Sequence, residues 1–477
     1  MTNLVETLLA PAGTTPDAAA LLDPAEGRVT FGELAERAGR AAGQLVAQGV
    51  EPGDRVAIHG TNTVPFVVSY LAALHVGAIA VPVNPQAPPA ELDRELAAVG
   101  AKIVLAELVD GTRRDKPVPM VERADDDVAV LLFTAGTAGP PKAAMLSHGS
   151  MRANLRQVLD HPGLGLHADD VALAVLPCFH VFGLNAVLDL GLAAGAASVL
   201  MERFDPARTV ELVREHGITV IAGVPAMYHA FLDLDDAAAP GDAFGSVRLA
   251  ISGAAPLSTE VFEATKSRFG FEISVGYGLT EASPVVTTSA IGATLGPGNI
   301  GPALPGVEVR LVDADESDVL PGDPGEIWVR GPNVFLGYWQ DDEATRRALT
   351  DDGWLRTGDI AVKDDAGALH LVDRAKDLII VSGFNVYPAE VEEVLLGYPG
   401  VADAAVVGEP EPRSGERVVA FVVADPGKTL RPELLTEHAS RLLARYKVPA
   451  RIEVVGELPR SFAGKVLRRE LREPPAP

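Results

Sequence analysis

The chain has 477 residues, 47% hydrophobic and 5% aromatic, long enough to bury a sizeable core and to divide into two or three domains. With 40 basic against 65 acidic side chains its formal net charge is −25, which excludes sequence-independent binding to nucleic acid or to an anionic membrane surface. The single cysteine, Cys178, excludes an internal disulfide and fits a reducing compartment, and Met1 to Pro11 lacks the basic start and apolar core of a signal peptide, so a cytoplasmic location is expected.

Residues 51–107 alternate strand-like runs (55–59, 78–83, 102–106) with helix-like runs (65–75, 89–99), the signature of layered β/α units. Residues 128–133 are continuously apolar behind Asp125, Asp126 and Asp127, which predicts a strand buried on both faces. Two stretches have the length of a membrane span: 63–84 carries no charged residue and 171–201 carries only Asp189. Pro65, Gly77 and Pro82 interrupt the first, Pro177 and Gly183 the second, so buried helix–strand units are expected and no membrane span. Asp205 and Pro206 open a helix and Gly217 closes it, ahead of a strand at 218–223. The pattern repeats with a strand at 247–252, a helix from Ser258 to near Gly270, and a strand at 271–275. After about residue 290 Gly and Pro become frequent and short period-2 runs (307–312, 326–330, 368–372) predict hairpins. From Asp373 on, a helix at 389–396, strands at 404–407 and 417–423, a helix near 433–445 and a strand at 451–455 predict a compact α+β domain of about 100 residues.

Chemistry concentrates in a few loops. After Phe133 the chain reads Thr-Ala-Gly-Thr-Ala-Gly-Pro-Pro-Lys142. Gly136 and Gly139 let the backbone approach an anion, Thr134 and Thr137 offer hydroxyl donors, and Lys142 supplies a mobile positive charge, parts that suit a triphosphate. Gly136 and Gly139 are too close, and no hydroxyl follows Lys142, for the Gly-x4-Gly-Lys-[Ser/Thr] loop. A Gly/Thr-rich surface turn with a solvated lysine has the same composition. Gly276-Tyr-Gly-Leu-Thr-Glu281 follows a strand: Tyr277 can stack on a planar base, Thr280 can bond a phosphate oxygen, and Glu281 can hold Mg²⁺, which takes one or two carboxylates plus phosphates. A turn ending in a solvated glutamate is the plainer reading of that string. His180, within Leu176-Pro-Cys-Phe-His-Val-Phe-Gly183, stands in an apolar setting where a satisfied core histidine is the ordinary case. Cys178 has no activating base in sequence and is assigned to packing.

Taken in order, these strings resemble the adenylate-forming superfamily of acyl-CoA synthetases, peptide-synthetase adenylation domains and luciferases. Its phosphate loop, Thr-Ser-Gly-Thr-Thr-Gly-x-Pro-Lys-Gly, is matched at Thr134, Gly136, Thr137, Gly139, Pro141 and Lys142, while Ala135, Ala138 and Ala143 replace serine, threonine and glycine. The resemblance implies that Gly276, Tyr277, Gly278, Thr280 and Glu281 form the adenine and metal segment and that Gly253, Ala254, Ala255 and Pro256 wall the adenine pocket. It implies that His180 positions or gates the carboxylate and the pantetheine tunnel, that Asp359 in Gly353-Trp-Leu-Arg-Thr-Gly-Asp359 binds the ribose, and that Arg374 binds ribose or phosphate. Lys376 would be the hinge, Ser382, Gly383 and Phe384 would face CoA, and Lys465 in Leu458-Pro-Arg-Ser-Phe-Ala-Gly-Lys465 would reach the substrate carboxylate and the α-phosphate. The fold it implies is α/β: a large N-terminal α/β domain of layered sheets (1–372) with a small β-barrel-like unit at about 290–372, a hinge at 373–377, and a mobile α+β C-terminal domain (378–477).

The expected activity is that of an ATP-dependent acyl-CoA synthetase using ATP, Mg²⁺ and CoA. The acyl pocket, drawn from 223–228 and 282–286 and including Val224, Met227, Tyr228 and Ser283, carries no charge, so a medium- to long-chain fatty acid is expected rather than a dicarboxylate or amino acid. Two alternatives stay open: transfer of the acyl group to a carrier-protein thiol, and a nucleotide-binding homologue of low turnover, suggested by Ala135 and Ala138. Homodimerisation is left open as well.

Overall fold

The computed structural model describes residues 3–112, 116–134, 142–289, 298–313, 315–320, 322–365, 367–374, 377, 379–381, 384–411, 415–443, 445–460 and 466–472. Thirteen strands fill the first part: β1 Ala19–Asp23, β2 Gly27–Thr30, β3 Arg55–His59, β4 Ile79–Val83, β5 Ile103–Leu105, β6 Val128–Thr134, β7 Lys142–Ser147, β8 Val171–Ala174, β9 Ala197–Leu200, β10 Val220–Gly223, β11 Leu249–Ser252, β12 Ile273–Gly278 and β13 Val285–Thr288. They form two sheets, ordered β13-β12-β11-β10-β8-β9-β1-β2 and β5-β3-β4-β6-β7. Neighbours from β12 through β9 pair in parallel, as helical crossovers require.

The helix signals operate as read. Asp205 accepts the Arg208 N–H at 2.8 Å to open Pro206–His216, and Gly217 closes it in the left-handed conformation. Ser258 caps Thr259–Phe269, and Gly270 ends it at φ +79°. The charge-free stretch 63–84 becomes the helix Val64–His75 and β4, buried on nearly every face. The second apolar stretch folds as β8, a short turn, the π-helix Leu184–Asp189, the helix Leu190–Ala194 and β9. Among the described residues no helix is long and apolar enough to cross a membrane.

One element departs from expectation. Residues 142–147, where the sequence predicts no strand, form β7, antiparallel to β6 with Thr134 opposite Lys142. The phosphate-loop sequence is therefore the connection of a hairpin whose arms are fixed by the ladder.

By contacts the chain separates into residues 1–309 with 329–356, and 310–328 with 357–477. The expected boundary at 373–377 falls inside the second unit. In that unit Leu355–Lys363 pairs with Leu369–Arg374, and Ile379–Val381, Phe384–Val386, Val401–Glu411, Gly415–Ala424 and Arg451–Val455 form another sheet. The helices Pro388–Leu396 and Pro432–Leu442 close over it through Val391, Leu395, Leu435 and Ala439, giving the expected α+β layer.

Candidate active site

Four of the segments singled out in sequence leave the carboxyl ends of adjacent strands. β8 runs into Leu176–Gly183 with His180, β10 into Val224–Tyr228, β11 into Gly253–Pro256, and β12 into Leu279–Glu281. Side chains at that edge face the crevice where open α/β sheets bind ligands. The approach is close: a Cβ on Gly253 would lie 3.0 Å from the Phe182 ring, and one on Gly278 would lie 2.1 Å from the Pro284 carbonyl oxygen. Ala254 adopts φ +67°, so the turn after β11 bends sharply outward. Tyr277 is buried, while Thr280 and Glu281 are half-buried in a short 3₁₀ turn.

The histidine segment is pinned by a residue that sequence reading passed over. Asn62 donates to the carbonyls of Ala174 (3.1 Å) and Leu176 (2.8 Å) and accepts the Cys178 N–H (3.1 Å). Burial lowers the His180 pKa to about 4, so its imidazole is neutral at pH 7, and its buried Nε2 has no hydrogen-bond partner among the described residues. A neutral imidazole can take part in a hydrogen bond without carrying a charge. The Cys178 thiol is buried and pushed far up by desolvation and by Asp189, in keeping with packing.

Among the expected acyl-pocket residues, Met227 packs its Cε against the Gly223 position. Tyr228 is fully buried and its hydroxyl donates toward the carbonyls of Ile221 (3.1 Å) and Ile251 (2.7 Å). Ser283 is fully buried at φ +66° with its hydroxyl 3.1 Å from that of Ser150. Both side chains are committed to the core and Met227 is 5% exposed, which leaves Val224 as the partly exposed member of that set.

The phosphate and metal segments meet through a residue not found in sequence. Residues 336–339 run beside β7: the Met145 N–H bonds Gly337 O (2.9 Å), the Leu336 N–H bonds Met145 O (3.0 Å), and the Trp339 N–H bonds Ala143 O (2.8 Å). This strap delivers Tyr338, whose hydroxyl donates to Glu281 Oε1 at 2.6 Å, while the Lys142 ammonium lies 5.2 Å from the centre of its ring. Burial, with Glu281 second, pushes the Tyr338 phenol well above its ordinary value, so it stays a donor. Glu281 Oε1 is thus occupied by the phenol in a half-buried, single-carboxylate site. That donor set fits Mg²⁺, which is held by one or two carboxylates with nucleotide phosphates and water completing its shell.

In the second unit Asp359 is 5% exposed and lies opposite Arg374 in the ladder. The turn before it is fixed by the Thr357 hydroxyl, which donates to Ile327 O (2.7 Å) and accepts the Asp359 N–H (3.1 Å), and by the Gly358 N–H on Glu326 (2.9 Å). Two expected ligands of one ribose are therefore register partners. Asp377 accepts weak contacts from Arg468 and Arg472 at 3.5 Å, and Arg468 forms a fork with Glu392 at 2.8 and 2.9 Å. Gly136, Thr137, Gly139, Lys376, Ser382, Gly383 and Lys465 lie outside the described residues, as do the side chains of Arg374 and Phe384.

The profile described as AMP-binding enzyme matches residues 9–339, and that described as AMP-binding enzyme C-terminal domain matches 390–465. A 4-coumarate–CoA ligase of Oryza sativa subsp. japonica is 35% identical over 98% of this chain and 92% of its own. A long-chain-fatty-acid–CoA ligase of Yersinia pestis is 36% identical over 93% and 90%. The structure of o-succinylbenzoate coenzyme A synthetase from Bacillus subtilis in complex with ATP and magnesium ion superposes with a TM-score of 0.89 at 30% identity, over 98% of this chain and 99% of that one.

Proposed function

Because the chain belongs to the AMP-binding enzyme family, the adenylate-forming acyl-CoA ligases, we propose that it activates a carboxylic acid with no charge beyond its reacting carboxylate, using ATP, and passes the acyl group to CoA. The observation that carries this reading is the Lys142–Tyr338–Glu281 cluster, which joins the exit of the phosphate loop to the metal segment beside the row of strand ends.

In the first half-reaction a carboxylate oxygen attacks the α-phosphorus of ATP, the bond to the β-phosphate breaks, and pyrophosphate leaves. Lys142 and the loop 134–142 hold the departing phosphates, Thr280 and Glu281 face the α-phosphate region, and neutral His180 orients the acid by a hydrogen bond. Magnesium, when bound, offsets the phosphate charge as pyrophosphate departs. In the second half-reaction the CoA thiol attacks the acyl carbon and AMP leaves. A turn of the C-terminal domain about Lys376, in the hinge 373–377, would exchange Lys465 for Ser382, Gly383 and Phe384 at the site, and Asp359 and Arg374 would keep the ribose.

The acid itself is read as a medium- to long-chain fatty acid, because no charged residue lies in 223–228 or 282–286. An aryl-propenoic acid is the second reading, favoured by the 35% identity with the 4-coumarate ligase over nearly the whole chain. The test is product analysis with ATP, Mg²⁺ and a panel of fatty and aryl-propenoic acids, with and without CoA. Thioester formation supports the reading; a stall at acyl-adenylate in the presence of CoA would point to a carrier-protein acceptor. Lys465→Ala should remove adenylate formation and largely spare thioester formation from supplied acyl-adenylate, and equal loss of both would refute its role.

A further inference from the structure

Tyr338 is locked from several sides. Its N–H donates to the Thr345 hydroxyl (2.9 Å), and its ring meets Phe335 edge-on at 5.0 Å. The Phe335 N–H bonds the Glu281 carbonyl at 2.9 Å, so the strap grips the backbone of the same glutamate whose side chain Tyr338 holds. Asn333, fully buried, adds a bond from its amide to the Ala282 carbonyl at 2.9 Å. Gly337 makes the approach possible: it sits at φ +119°, and a Cβ there would lie 2.5 Å from the Thr345 methyl. A ring fixed this way does not adapt to its neighbours; it fixes them.

We infer that Tyr338 is a positioning residue for Mg·ATP, its hydroxyl aiming one oxygen of Glu281 so that the other faces the metal–phosphate group, and its ring holding the Lys142 ammonium in register with the phosphates. The inference rests on the proposed roles of Glu281 and Lys142. The phenol satisfies Oε1 with a short charge-assisted bond, which removes the rotation by which a half-exposed glutamate would turn toward solvent. The ring face holds a cation without cancelling its charge, so incoming phosphate takes up Lys142 without first breaking an ion pair. One side chain thereby presets an anion for the metal and a cation for the phosphates.

The test measures ATP affinity calorimetrically with Mg²⁺ and again in EDTA, for the wild type, Tyr338→Phe, Tyr338→Leu and Glu281→Gln. The ratio of the two affinities does not depend on the fraction of folded protein. Tyr338→Phe, which keeps the ring, should weaken Mg·ATP binding about five- to twentyfold and leave metal-free ATP within twofold, the loss expected for one hydrogen bond to a charged group. The KM for Mg·ATP should rise accordingly while the KM for the acid stays fixed. Tyr338→Leu should in addition weaken metal-free ATP about two- to threefold through loss of the ring face. A wild-type affinity ratio in Tyr338→Phe, with a collapsed ratio in Glu281→Gln, overturns the inference alone. A wild-type ratio in Glu281→Gln overturns the underlying assignment of the metal carboxylate. Equal weakening of both affinities in Tyr338→Phe reduces Tyr338 to a packing residue and also overturns the inference.

Discussion

Tyr70 donates to Asp189 across 2.9 Å where both residues have no solvent exposure, whereas Tyr338 donates to Glu281 across 2.6 Å where both keep contact with water. The chemical pair is nearly the same, yet the surroundings give it opposite uses. In the core, desolvation pushes the Asp189 carboxyl up to about 8, with Tyr70 pulling only partly against it, so at pH 7 it is mostly an uncharged acid on the π-helix Leu184–Asp189. A carboxyl in that state can brace packing and cannot hold a cation. At the carboxyl end of β12 the same donor meets a half-buried glutamate on a short turn, and binds one of its two carboxylate oxygens. Burial, more than the identity of the hydrogen bond, separates a tyrosine–carboxylate pair sealed in the core from one that water and a ligand can reach.

Breaking each pair in turn should give non-overlapping results. Glu281→Gln removes the site charge and should cut adenylate formation on the order of 100-fold, the loss typical of one charge-stabilising group, with a melting temperature close to the wild type. Unchanged adenylate formation with an altered profile of stability against pH would place Glu281 in the structural class with Asp189.

Asp189→Asn should do the reverse, leaving kcat and KM unchanged and altering stability against pH. The folded pKa lies above the unfolded value of about 3.9, so between roughly pH 4 and pH 8 the native state binds more protons than the unfolded one and stability falls as pH rises. Asparagine removes that decline, and at pH 8 the variant should be more stable by up to roughly 5 kcal/mol, read from denaturant midpoints. His148 and His180 titrate the other way. Burial holds both near 4, so between roughly pH 4 and pH 6.5 the native state binds fewer protons than the unfolded one, stability from these groups rises with pH, and the acid limb of the profile should persist in the variant. A profile identical to the wild type at alkaline pH would mean that Asp189 is already charged in the folded protein.

The smallest effect concerns the loop that follows β6. Ala135→Ser with Ala138→Thr adds two hydroxyls to the proposed phosphate loop and should improve use of ATP by a few-fold to tenfold, since each charged hydrogen bond contributes on the order of 1 kcal/mol. Unchanged kinetics would show that backbone N–H groups already suffice there.

What the sequence disclosed depended on how local the cause was. Helix ends with a side-chain cap and a left-handed glycine, as at Asp205 and Gly217, are set by neighbouring residues and were legible. The parallel core strands were legible from their apolar runs. β7 was not, because Lys-Ala-Ala-Met-Leu-Ser has few strand formers and is made extended by its partner β6. Tyr338 escaped because it lies 57 residues from Glu281 on a strap without regular structure. The one signal was the Gly337–Tyr338 pair, a glycine at positive φ beside an aromatic residue. Asn62 escaped for a similar reason, since its partners are backbone atoms 112 to 116 positions away. Asp189 stood out in sequence as the sole charge in an apolar run, a pattern whose physical meaning is a carboxyl held neutral by burial. Tyr228 and Ser283 followed the expected segments into the core, where their hydroxyls serve the backbone and Ser150.

The most direct test of the account is incorporation of labelled pyrophosphate into ATP by the wild type and Glu281→Gln, with Mg²⁺ and each acid of the panel but without CoA. Reversible adenylation at this site predicts exchange that requires both Mg²⁺ and an acid of the panel and falls about 100-fold in the variant. Exchange that persists in Glu281→Gln, or its absence from the wild type with every acid, would contradict it.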